Sequence, residues 1–203
     1  MLRINQCLIA LAFSAGAAMA AESGPGSTNE VGFLLGGFSP LSVGGADLGS
    51  GIGLQANYGR RIWGTTKVAL YGEVHFLASP QRLISSLNRS ATRDVASLYV
   101  TPGIRVKFLP GARISPYVAV GGGLALYEQS HLSLNGQPNG AERERYTGAF
   151  DAAGGADFKL WRWASLRGEV RNFYTGAPAY NLRPSPGAQN NVVIGGGFVV
   201  NWH

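Results

Sequence analysis

A chain of 203 residues has room for one domain and a short targeting segment. Glycine accounts for 30 of them, roughly twice the usual share of about 7%. With 45% hydrophobic and 14% charged residues, the composition excludes a disordered chain and an ordinary helical one. The formal charge of +6 points toward nucleic acid or acidic lipid, but the charges are scattered without a basic cluster, so nucleic acid is not an expected partner.

Residues 1–20 read as a cleaved secretory signal peptide. Arg3 supplies the positive start, Cys7 to Ala18 is apolar and small, and Ala18-Met19-Ala20 is an A-x-A cleavage site. The apolar run falls short of the roughly 20 residues a spanning helix needs. Cleavage after Ala20 implies export through the Sec pathway and a mature chain, 21–203, of charge +5 that has lost its one cysteine, Cys7. Such a chain is held by hydrogen-bond ladders and packing rather than disulfides. No lipobox cysteine sits at the cleavage site, so a lipoprotein is not expected.

Beyond Ala20 the pattern is period-two alternation, and it recurs in eight segments. These run from Glu30 to Phe38, Ser50 to Trp63, Thr66 to Ala78 and Asp94 to Leu109. Four more run from Arg113 to Glu128, Arg145 to Trp161, Trp163 to Tyr174 and Asn191 to Trp202. The fourth shows the pattern most clearly: Leu98, Val100, Ile104, Val106 and Phe108 share one face, and Tyr99, Thr101, Arg105 and Lys107 the other. Most segments reach the length of about 9–11 residues that crosses a bilayer as a tilted strand. Pro102 removes a ladder donor in mid-strand, and a local bulge is expected there.

The connections alternate. Gly64-Thr65, Pro110-Gly111-Ala112 and Arg162 are tight turns, whereas 39–49, 79–93, 129–144 and 175–190 are long and polar. All long loops therefore lie at one end, as in transmembrane barrels with short periplasmic turns and longer extracellular loops. Trp63, Phe108, Trp161, Trp163 and Trp202 form an aromatic belt at the short-turn end. Phe76, Tyr127, Tyr146, Phe150, Phe173 and Tyr174 suggest a second belt near the loops. The fold expected is all-β: an eight-stranded antiparallel up-and-down transmembrane β-barrel.

At this point the chain resembles the small outer-membrane β-barrel family of OmpA/OmpX-type eight-stranded domains. The resemblance rests on this architecture and on Tyr99-Val-Thr-Pro-Gly-Ile-Arg105, Pro116-Tyr-Val-Ala-Val-Gly-Gly-Gly123 and Gly195-Gly-Gly-Phe-Val-Val-Asn-Trp202. The last strand is similar to the signal read by the barrel-assembly machinery, although the chain ends on His203 rather than on Phe. The peptidoglycan-binding domain of the larger OmpA-type proteins is lacking, so no cell-wall tether is expected. The resemblance implies the cell outer membrane, with lipid and lipopolysaccharide as surroundings and a monomer as the working state.

If the more apolar face of each strand meets lipid, the lumen holds an ion-pair network. Its expected members are Arg61, Lys67, Glu73, His75, Arg105, Lys107, Asp151, Asp157, Lys159, Arg167, Glu169 and Arg171, with Gln55 and Asn57 beside them. Charges there must be paired or solvated, and eight strands leave an interior just wide enough for side chains. The role expected is structural or surface-interacting, with a filled lumen. The alternative is a narrow channel made weakly anion-preferring by an excess of cations.

A lipid-modifying enzyme is the remaining possibility, and it is not the expected one. Loop serines (Ser79, Ser85, Ser86, Ser130, Ser133) accompany His75, His131 and His203, but no His-x-Ser-Asn arrangement like that of the lipid A deacylases occurs. No catalytic residue, metal site or cofactor is expected. Gly121-Gly-Gly123 and Gly195-Gly-Gly197 precede no helix and are read as strand glycines that let the sheet curve or lumen side chains meet. Ala141-Glu-Arg-Glu-Arg-Tyr146 alternates in sign and is expected to extend its strands as a hairpin. Arg82, Arg89, Arg93, Arg143, Arg145 and Arg183 are placed to meet lipopolysaccharide phosphates.

Overall fold

Ten strands form from the alternating segments in the computed structural model, which describes residues 27–43, 46–182 and 187–203. The signal peptide assigned to 1–20, and Arg183, lie outside the described residues. The strands are β1 (Asn29–Phe38), β2 (Leu41–Val43), β3 (Ala46–Leu48), β4 (Gly51–Gly64) and β5 (Val68–Ser86). They continue with β6 (Asp94–Phe108), β7 (Ile114–Gln129), β8 (Glu144–Lys159), β9 (Ala164–Gly176) and β10 (Ala188–Trp202).

Eight of these make a closed antiparallel ring. The order runs β5-β4-β1-β10-β9-β8-β7-β6, and β5 pairs with β6 to shut it. The closing ladder runs from Val68 opposite Phe108 to Leu83 opposite Asp94, and first and last strands pair from Asn29 opposite Trp202 to Phe38 opposite Val193. Closure gives every strand two neighbours, the condition a sheet must meet in hydrocarbon.

The wall reads as the alternation demands. Ile104, Val118, Leu124 and Ile194 lie on the outside, 47% to 62% exposed, while their sequence neighbours point in. That band of apolar side chains is suited to lipid.

Two features depart from the sequence reading. Pro102 makes no bulge: Val100 faces Leu124 and Gly103 faces Gly121 in one unbroken register, and only the pairing in between is missing. The proline nitrogen costs a ladder bond on the β7 side, while Val74 still pairs with Pro102 on the β5 side. The missing bond is absorbed by close approach. A Cβ on Gly123 would stand 2.0 Å from the Val100 carbonyl oxygen, so only glycine lets β6 and β7 meet there.

The second departure concerns the loop end. β5 runs 19 residues, past the expected Ala78, and shifts register between Ser79 and Arg82. Its extension pairs with β3, and β3 with β2, so the stretch read as the first long loop contains a hairpin lying against β5.

Candidate functional site

The strands aim a dense set of charges into the lumen. Nearest the tight turns, Glu30 of β1 meets Arg105 of β6 at 2.7 Å and Arg167 of β9 at 3.2 Å, and it also pairs with Lys107. Asp157 of β8 binds Lys107 at 2.7 Å and is held in a fork by Arg167 Nε and Nη2 at 2.6 and 2.8 Å. Arg167 also donates to Asn57 Oδ1 at 3.0 Å.

One layer further out, Arg171 gathers three carboxylates: Glu169 at 2.9 Å, Glu73 at 2.8 Å and Asp151 at 2.5 Å. Arg105 joins the two layers, since its Nε lies 3.0 Å from Glu73. Tyr71 and Tyr117 flank the Arg105 guanidinium at 5.1 and 5.3 Å from their ring centres. Tyr117 donates its hydroxyl to Glu169 at 2.7 Å.

Of the twelve residues expected in the network, nine are buried: Glu73, His75, Arg105, Lys107, Asp151, Asp157, Arg167, Glu169 and Arg171. The other three are not. Lys67 is exposed because it sits in the turn before β5, and Lys159 is exposed because it ends β8 at the rim. Arg61 is half-buried beside the register shift between Arg61 and Trp63. Conversely, Glu30 holds three of the four buried network cations, Arg105, Lys107 and Arg167, and lies outside the expected set. The inner face of β1 otherwise carries Leu34 and Phe38, as apolar as its outer face, so the rule of the more apolar face could not orient it.

The charge balance also reverses. Glu30, Glu73, Asp151, Asp157 and Glu169 face Arg105, Lys107, Arg167 and Arg171, five carboxylates against four cations, where an excess of cations was expected.

Above the charges the lumen closes with aromatic and apolar side chains. Tyr99 packs on Phe173 at 4.7 Å and edge-on to Tyr127 at 5.9 Å. Tyr127 and Phe173 are therefore lumen residues and do not belong to the loop-side belt, because their strand parity turns them inward. Phe150, Tyr146 and Tyr174 remain outside, 53% to 68% exposed.

Loop residues complete this cap. Leu48, Ile84, Ala91, Tyr180 and Leu182 join Leu77, Tyr99 and Phe173 in one buried cluster. Tyr180 donates to Gln189 at 2.7 Å, and Gln189 donates to the Tyr127 hydroxyl at 2.9 Å. Burial pushes the Tyr180 hydroxyl above the usual tyrosine range. Asn181 donates to the Ser90 carbonyl at 2.6 Å and the Thr92 amide to the Tyr180 carbonyl at 3.0 Å, tying the last loop to the second.

Arg82 belongs to this cap and not to the surface. It is buried over the Phe38 ring at 4.7 Å and donates to Asn191 Oδ1 at 2.8 Å, because the extended β5 carries it inward. His75, between cap and charges, is fully buried 6.0 Å from Phe173.

At the opposite end Trp63, Trp161 and Trp163 are 58% to 59% exposed and Phe108 41%, with Trp202 half-buried. Trp161 and Trp163 stack at 5.8 Å. A closed ring with an apolar wall, an aromatic girdle and a charged interior has the build of a membrane barrel. Residues 8–196 match the family described as outer membrane protein beta-barrel domain. The chain belongs to that family.

Solved structures agree on the fold. Neisserial surface protein A superposes with a TM-score of 0.59 at 12% identity, covering 87% of this chain and 98% of its own. OprG from Pseudomonas aeruginosa gives 0.50 at 13% identity over 89% and 98% of the two chains. Ail, the attachment invasion locus protein of Yersinia pestis, gives 0.50 at 13% over 84% and 98%. Identities this low speak for architecture alone. No curated protein matches the chain.

Membership in the family places this barrel in the outer membrane, and the rule of short periplasmic turns orients it. By that rule the cap is expected to face the cell exterior and the Trp161–Trp163 stack the periplasmic leaflet.

Proposed function

We propose that this outer-membrane barrel neither conducts nor catalyses, and that it works through its wall and its ordered outer loops. One observation carries the reading: the lumen is closed twice, by interlocked ion pairs and by the cap that Tyr180 and Tyr127 knit together. A pore would have to part both layers. Parting the first separates charges inside a low-dielectric ring, which is costly.

The buried charge balance gives anions no advantage over the counter-ions already present. His75, fully buried inside the ring beside Phe173, is sealed from lipid by the wall, a poor position for a base acting on lipid. Its ring nitrogens and Gln55 Oε1 are buried without a protein partner among the described residues. Groups of this kind are ordinarily satisfied by buried water, so a hydrated layer between two seals is compatible with a closed lumen.

Outside the cap, Arg89, Arg93 and Arg143 are exposed. They are the residues through which the loops would meet lipopolysaccharide phosphates or a surface partner. Arg143 pairs with Glu128 at 2.7 Å, and β7 and β8 stay paired up to Glu128 opposite Glu144, so this hairpin is a rigid platform. Export through the Sec pathway, removal of residues 1–20, insertion by the barrel-assembly machinery and a monomeric state complete the reading.

Two measurements test it. Purified protein in planar bilayers is expected to give no reproducible conductance steps, and regular unitary steps would overturn the closed lumen. Lipid A from cells with and without the protein is expected to show one acyl profile, and a lost or added chain would make the barrel an enzyme.

A further inference from the structure

The tight turns hold a cleft at the girdle end of the barrel, where β8 runs out and Lys159, of inward parity, is left at the rim. The β6–β7 turn ends in Arg113, and the β8–β9 turn holds Leu160 to Trp163. Pairing of β7 with β8 brings the two turns together: the Lys159 amide donates to the Arg113 carbonyl at 2.8 Å. Between them lies a cleft of about 540 Å³ lined by Arg113, Phe158, Lys159, Leu160, Trp161 and Arg162.

Three of those six residues are cationic and none is acidic, while Lys159 and Arg162 also border the lumen mouth, which Glu30 and Asp157 line. The nearest acid along the chain, Asp157, is turned into the lumen and held there by Arg167 and Lys107. The exposed arginines at the opposite end differ in this respect, because Arg93 lies 3.2 Å from Asp94 and Arg143 2.7 Å from Glu128.

The cleft floor is apolar and its rim is aromatic. The Arg113 guanidinium lies over the Phe158 ring at 5.0 Å, and Trp161 stacks on Trp163 just beyond Arg162. Exposed tryptophans of a barrel girdle mark the headgroup level of the bilayer. Three cations at that depth, above an apolar floor, present the two halves of a lipid: charge for a headgroup phosphate and wall for the first carbons of its chains.

We propose that this cleft is a binding site for an anionic phospholipid of the periplasmic leaflet, with Arg113, Lys159 and Arg162 around the phosphate and Phe158 and Trp161 against the glycerol and upper chain. In the orientation given by short periplasmic turns, lipopolysaccharide fills the opposite leaflet and is not the natural occupant.

The test uses the full barrel in phosphatidylcholine vesicles, with Trp63→Phe and Trp202→Phe so that fluorescence reports from Trp161 and Trp163. Brominated phosphatidylglycerol is titrated against brominated phosphatidylcholine. The anionic lipid is expected to associate roughly fivefold or more tightly, the scale set by one engaged basic residue. The preference is expected to vanish in Arg113→Gln/Lys159→Gln/Arg162→Gln, checked for folding by faster migration of the unboiled protein in SDS gels. A matched variant at the other end, Arg89→Gln/Arg93→Gln/Arg143→Gln, is expected to keep it. Equal quenching by the two lipids overturns the site. So does a preference that survives the first variant or that disappears equally in the second, which would trace it to net charge.

Discussion

Glu30 shows how much one carboxylate can organise. It is 1% exposed and faces Arg105, Lys107 and Arg167, whose other salt-bridge partners among the described residues are Asp157 for two of them and Glu73 for the third. The inner half of the network is therefore short of negative charge and the outer half, where three carboxylates share Arg171, has a surplus. A buried pair adds little net stability, but removing one partner strands a charge. Glu30→Gln is accordingly expected to cost about 3 kcal/mol in urea unfolding from lipid vesicles near neutral pH. Asp151→Asn is expected to stay within about 1 kcal/mol of the parent, because Arg171 keeps Glu73 and Glu169. Equal losses would mean that the two halves do not balance separately. Period-two parity made most of the network legible, because Arg105 and Lys107, or Arg167, Glu169 and Arg171, alternate with plainly apolar neighbours. It was silent at Glu30, whose strand is apolar on both faces, and at Lys67 and Lys159, where the parity holds but the strand has ended.

Among the elements, the ring strands could be read to within a few residues except where they rise beyond the membrane. There the polar face and the wet outer face look alike, so the alternation gives out at Ala78 while β5 continues, and the β2–β3 hairpin carries no strand signal. The β6–β7 contact is among the tightest pieces of the wall, and its glycines are not interchangeable. A side chain at Gly123 meets the Val100 carbonyl, which belongs to a backbone that the β5 ladder already fixes, whereas a Cβ at Gly122 would approach nothing nearer than 4.0 Å. Gly123→Ala should therefore destabilise the barrel by about 1–3 kcal/mol, the range for forced overpacking. Gly122→Ala, on the lipid face, should leave the urea midpoint in place. A harmless Gly123→Ala would show that β6 and β7 can separate at the Pro102 gap without loss, and the close approach would then not be what holds the register.

For the molecule as a whole, closure decides both fold and orientation. Eight strands return the chain to the side where it began, so β1 and β10 can pair, and every long connection falls at the opposite end. The sequence could announce this because strand number, turn length and aromatic placement each follow from the same constraint, the absence of water for backbone groups in hydrocarbon. It could not announce the cap. Tyr180, Leu182 and Ala91 lie in segments whose polar composition looks like open loop, and only long-range packing onto Tyr127 and Phe173 makes them a lid. Orientation can be checked in living cells by replacing Cys7 with serine and introducing one new cysteine at a time. Arg89→Cys, exposed beyond the cap, should react with a membrane-impermeant maleimide added to intact cells. Gly111→Cys, in the β6–β7 turn, should react only after the outer membrane is opened. The reverse pattern would put the cap in the periplasm. It would also move the Trp161–Trp163 stack and its three cations to the leaflet of lipopolysaccharide, so the labelling bears on the phospholipid site as directly as on the barrel.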